Sequence, residues 1–187
     1  MRSRPRSPGG GKPPVDGARP ARPIRRRLPG ELSAADFLRA VLETTRARLP
    51  TDLQWLEARH QGSLIKLFGD EPDIHFELWL HSTRGRAELA LHFETRDPDR
   101  NRRLLEYVAD ELPFLKEAIG AGIEAEPWDK GWTRVYVTRP VERLGAAECA
   151  QLAVAFAEFV EILDPIRREA VEASPPTSRR RDRRRAG

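Results

Sequence analysis

Four histidines occur in 187 residues, and three of them, His75, His81 and His92, lie in two stretches where polar and apolar side chains alternate. Ile74, Phe76, Leu78 and Leu80 alternate with His75, Glu77, Trp79 and His81. After Arg84-Gly85, Ala87, Leu89, Leu91 and Phe93 alternate with Glu88, Ala90, His92 and Glu94. A period of two sends each set to one side of a sheet, so the spacing predicts a β-hairpin with one apolar and one polar face. With Arg84-Gly85 as a two-residue turn, the facing pairs on the polar side become His81–Glu88, Trp79–Ala90, Glu77–His92 and His75–Glu94. Imidazole and carboxylate suit zinc or another first-row divalent ion, which makes His75, Glu77, His92 and Glu94 a candidate metal site. The same pairs also read as ordinary cross-strand contacts worth roughly 0.2–1 kcal/mol each, because facing pairs alone do not create tetrahedral geometry.

A second group shares the polar face. Ile123 to Trp128 and Trp132 to Thr138 read as another hairpin turned by Asp129-Lys130-Gly131, with Val135 and Val137 toward the core. Trp79, Trp128, Trp132, Arg134 and Tyr136 are then the candidate partner-binding residues, since tryptophan, tyrosine and arginine dominate interface hot spots. The alternative is local: the rings fold against the sheet rim, with Arg134 stacked on one of them. Signals for catalysis are weak. Cys149 sits on an apolar helical stripe as a buried thiol, no G-x-S-x-G turn surrounds Ser63 or Ser82, and two strand carboxylates such as Glu77 and Glu94 are commonplace. No catalytic residue is assigned and no cofactor is expected.

These side chains need elements to hold them. Ser33 with Asp36 three residues on, flanked by Leu32 and Phe37, marks a helix start, and Phe37, Leu38, Val41, Leu42 and Leu49 carry its stripe to Pro50. Residues 52–68 support two short strands around Gln61-Gly62, or a broken helix and one strand; the two strands are preferred. Asp97-Pro98 opens a second helix with Leu104, Leu105, Val108, Leu112, Leu115 and Ile119 on one side, kinked or restarted at Pro113. Cys149, Leu152, Ala153, Phe156, Val160 and Leu163 mark a long final helix with Pro165 as a potential break. The expected fold is α+β: a two-layer sandwich with an antiparallel sheet of about five strands and three main helices packed on one face.

Charge divides the chain differently. Residues 1–29 carry nine basic side chains against Asp16, a net of +8, and residues 174–187 carry six arginines against Asp182, a net of +5. Residues 30–173 hold 18 basic and 27 acidic side chains, a net of −9. An overall formal charge of +4 thus hides an acidic body with basic ends, which argues against one uniformly basic nucleic-acid-binding domain. Seven prolines and five glycines in residues 1–30 indicate a disordered tail, with a single α+β domain at 31–173 and a second Arg-rich tail from 174. Gly9-Gly10-Gly11-Lys12 lacks the strand, spacing and hydroxyl residue of a phosphate loop. Arg25, Arg26, Arg27, Arg179, Arg180 and Arg181 could contact RNA or DNA phosphates, or serve only as solvated ends. A single cysteine excludes an internal disulfide and any site needing several thiolates from one chain. The absence of a long apolar run predicts a soluble, cytoplasmic protein without a membrane partner.

The order of elements over residues 32–172 resembles the type III secretion chaperone-like fold, whose members are usually small acidic dimers that bind partner polypeptides. Phe76-Glu77-Leu78-Trp79, Leu91-His92-Phe93-Glu94 and Gly131-Trp132-Thr133-Arg134-Val135-Tyr136 resemble in texture uncharacterised bacterial domains, some adjoining restriction-type nucleases. Neither resemblance transfers a catalytic residue, and the nuclease pattern of an acid followed by Asp/Glu-x-Lys is absent near the hairpin. The first implies a non-catalytic interaction module that engages a protein partner or a second copy of itself. Two other classes remain open: a nucleic-acid-associated accessory protein acting through the tails, and a metal-dependent hydrolase.

Overall fold

The computed structural model describes residues 29–176; the tail arginines, the glycine run and most of both basic ends lie outside them. The first helix, α1 (Ala34–Arg48), is capped by Ser33, whose hydroxyl accepts from the Asp36 amide at 3.0 Å. Phe37, Leu38 and Val41 on α1 are buried, so the capped start and the apolar stripe act on the same face. A 3-10 turn at Thr51–Leu53 leads to β1 (Glu57–Gln61) and β2 (Leu64–Phe68). Of the two readings of residues 52–68, the paired strands are realised, while Leu53 and Leu56 enter the core from the turn before them.

The hairpin expected from the alternation is β3 (Ile74–His81) with β4 (Arg86–Phe93), but its register differs from the two-residue-turn expectation. Arg84 belongs to a 3-10 turn at Ser82–Arg84, and Gly85 alone takes the left-handed conformation (φ 63°), so four residues connect the strands. A type I′ turn would have required positive φ at Arg84 as well. The observed pairs are His81–Arg86, Trp79–Glu88, Glu77–Ala90 and His75–His92. The shift is by two residues, so every side chain keeps its face and changes its neighbour.

Asp97 caps α2 (Pro98–Asp110) by accepting from the amides of Asp99 and Arg100 at 3.1 Å each. The helix restarts at the Pro113 turn as α3 (Leu112–Ala118), followed by β5 (Glu124–Pro127), β6 (Thr133–Pro140) and α4 (Ala146–Ala173). Pro165 does not break α4, which runs on through it to Ala173. Beside it, buried Asp164 pairs with Arg167 and Arg168 at 2.7 and 2.6 Å.

Six strands, one more than expected, form an entirely antiparallel sheet in the order β1-β2-β3-β4-β6-β5. Ile65, Leu67, Ile74, Phe76, Leu78, Leu89, Leu91, Phe93, Val135 and Val137 join the buried stripes of α1, α2 and α4 in one core. Phe68 and Ala90, from the other alternation, are buried yet outside that core. Among the described residues, the second sheet face therefore has no helix layer of its own. The fold is the α+β arrangement the periodicities predict.

Asn101 ties this framework together. Its side chain accepts from the Thr95 amide and hydroxyl after β4 and donates to the carbonyls of Thr95 and Gly131, joining α2 to the β4 end and the β5–β6 turn. Arg100 adds a second tie, donating to the Ser174 carbonyl at 2.7 Å and to both Glu71 carboxylate oxygens.

Candidate functional site

The register places residues of the helix-free face in cross-strand rows. One row runs Phe68, His75, His92, Arg134, Glu126; the next runs Lys66, Glu77, Ala90, Tyr136, Glu124. Three of the four candidate metal ligands lie in these rows, with His75 and His92 directly opposite each other, and Glu94, one residue past β4, reaches them from the strand end. Their rings stack nearly parallel, 5.4 Å apart at 6°. His75 Nδ1 lies 3.0 Å from the Pro72 carbonyl oxygen, which fixes it as the N–H donor and leaves Nε2 with a lone pair directed into the cluster.

Lys66 joins these residues, although its local sequence does not mark it as a member of the cluster. It is the one charged side chain in Leu64–Phe68, between inward-facing Ile65 and Leu67, and its alternation alone assigns it to the polar face once β2 is paired with β3. Its ammonium donates to His75 Nε2 at 2.9 Å and lies 3.2 Å from Glu77 and 3.8 Å from Glu94. His92 is buried to 4% exposure, with Nδ1 at 3.4 Å from Glu94 Oε1 and Nε2 at 3.9 Å from Glu77 Oε1. Neither ring nitrogen of His92 makes a hydrogen bond.

Burial pushes the Glu77 carboxyl upward, but His75, His92 and Lys66 together outweigh it and hold the group below its ordinary value. Glu94 follows the same pattern: burial raises it, and His92, His75 and Lys66 bring it down further. Glu88 goes the other way. Burial, with the Glu77 charge beside it, raises it by more than Arg134, His92 and Arg86 lower it. His81, at the hairpin end, is lowered by burial and by Arg86, Arg84 and Arg134.

The aromatic candidates divide into two groups. Arg134 is buried between rings, its guanidinium 3.6 Å from the centroid of Trp128 and 4.1 Å from that of Tyr136. It donates to Glu88 at 2.5 Å and twice to Glu126 at 2.9 and 2.6 Å, so it is held on every side. Tyr136 donates its hydroxyl to Glu124 at 2.8 Å, and this bond together with burial raises the phenol. Trp132 carries Lys130 over its ring at 5.2 Å. Trp79 lies elsewhere, opposite Glu88 and with its ring tilted 39° against that of His81 at 4.1 Å. In register terms Trp79 is level with Thr138, six residues along β6 from Trp132, or roughly 20 Å at the usual strand rise. The local stacking of Arg134 is realised, and the exposed aromatic surface it leaves belongs mainly to Trp128, at 37% exposure.

A cleft of about 560 Å³ lies away from this face, beside Pro165 on α4, and is lined by Asp52, Glu161, Asp164, Glu169 and Arg168 among others. It brings together no histidine, cysteine or hydroxyl nucleophile. Cys149 is buried, and burial raises its thiol, as expected for a packing residue. No described helix is long and apolar enough to cross a membrane.

No family model matches the chain, and no curated protein does. Among solved structures, a chain from the HopA1–SchA chaperone–effector complex is similar at 19% identity and a TM-score of 0.39, over 71% of this chain and 94% of that one. A likeness at that score carries no argument about function, and the chemistry of the sheet face has to supply it.

Proposed function

We propose that the chain is a non-catalytic interaction module that binds a partner polypeptide across the helix-free face of its sheet. One observation carries this reading: a six-stranded sheet with helices on one side has a second side with fixed charges at its centre and Trp79, Trp128 and Trp132 around them. Arg134 is pinned by Glu88 and Glu126 between Trp128 and Tyr136, so a partner meets a preorganised surface with little side-chain entropy left to lose. Partly exposed tryptophans supply apolar contact area, and the surrounding carboxylates select basic or hydrogen-bond-donating groups on the partner.

The test is capture from the native host of the full chain and of a Trp79→Ala/Trp132→Ala variant, with circular dichroism confirming that both fold. A protein that survives high-salt washing on the wild type and is lost from the variant supports the reading. The same protein retained by the folded variant contradicts it. Nucleic acid that comes off as salt rises would favour the tail arginines as the working contacts.

A further inference from the structure

The cluster around His75 and His92 has features that an interaction face does not require. Buried imidazoles ordinarily find hydrogen-bond partners, yet His92 is buried with neither ring nitrogen hydrogen-bonded and only the longer approaches of Glu94 and Glu77 beside them, while His75 is held by Pro72 in the tautomer that presents Nε2 as a lone pair. A backbone carbonyl on the far nitrogen is the outer contact that orients metal-binding histidines. One ligand atom each from His75, His92 and Glu94 lies within 4.8 Å of the others. In a tetrahedral site, bonds of about 2.0–2.2 Å put ligand atoms about 3.3–3.6 Å apart, so side-chain rotations that draw these atoms together by roughly 1 Å close the set. The Glu77 carboxylate lies beside the set, 3.7 Å from His75 Nε2 and 3.9 Å from His92 Nε2.

Charge points the same way. With neutral imidazoles, Glu77 and Glu94 carry two negative charges against the one positive charge of Lys66. The Lys66 ammonium occupies the cation position, but its side chain is 30% exposed and can swing outward, whereas the histidines cannot. A divalent ion in its place would neutralise both carboxylates and give His92 the direct bond that neither carboxylate makes with it. We propose that His75, His92 and Glu94, with Glu77 beside them, form a site for a first-row divalent transition-metal ion, which enters by displacing the Lys66 ammonium.

The experiment uses the chelator-treated full chain, titrated with zinc by calorimetry and with cobalt(II) by visible absorption. One ion per chain is expected, with cobalt bands characteristic of low coordination number. His75→Gln and His92→Gln should weaken binding by more than the roughly 10–100-fold that losing an outer contact costs, while His60→Ala leaves it unchanged. Lys66→Gln should tighten it, because a competing cation is gone. Circular dichroism identifies any variant that fails to fold, and the gain in Lys66→Gln does not depend on the histidine variants folding. Absence of binding by both the wild type and Lys66→Gln, or equal binding by the folded histidine variants, overturns the proposal. Binding confined to Lys66→Gln also overturns it, by making Lys66 the permanent cation.

Discussion

At the scale of residues, the helix-free face is held by ionic contacts where the other face is held by apolar packing. Glu77, Glu88, His75, His92 and Arg134 are all buried, and each depends on its neighbours for the groups that water would otherwise provide. This makes stability sensitive to pH in opposite directions. Glu77 and Glu94 have folded-state pKa values below the ordinary 4.5, so their ionisation stabilises the fold above that value and the contribution is lost as pH falls through the folded values. Glu88 is raised, so its contribution is present below 4.5 and is lost as pH rises through its folded value. Denaturation midpoints measured from pH 6 down to pH 3 should fall, with a shallower fall in Glu77→Gln and a steeper one in Glu88→Gln. Identical slopes in all three proteins would contradict these assignments.

At the scale of elements, what could be read from the sequence and what could not divide along physical lines. Alternation in Ile74–His81 and Arg86–Phe93 reveals the hairpin and its polar face because side-chain period depends only on local backbone geometry. Register depends on the turn, and nothing in Ser82-Thr83-Arg84-Gly85 announces that only Gly85 takes positive φ. The two-residue difference in register keeps the face intact but sets His75 on His92, a contact that alternation alone does not contain. The role of Lys66 is equally absent from its local sequence, since it arises only from the pairing of β2 with β3. The separation of Trp79 from Trp132 is likewise a matter of register, invisible in a list of residues that share a face. Asn101 shows how far one side chain can fix such geometry. Replacing it with alanine strips partners from the Thr95 amide and from the carbonyls of Thr95 and Gly131, and should cost about 1–3 kcal/mol in urea unfolding. A loss within a few tenths of zero would mean that the β5–β6 turn does not depend on it.

At the scale of the whole molecule, helices occupy one side of the sheet, and among the described residues no helix covers the other. Trp55 and Phe114, at 46% and 51% exposure, are large apolar residues outside the sheet, whereas Trp128 at 37% stacks on the face itself. These three positions separate the proposed binding face from the rest of the surface. The most direct measurement is photo-crosslinking of the full chain in its native host, with a photoreactive residue placed at position 128, 55 or 114 in turn. The face proposed here predicts a discrete crosslinked polypeptide from position 128 and none from positions 55 and 114. A crosslink from position 55 or 114, with position 128 silent in a folded protein, would contradict it.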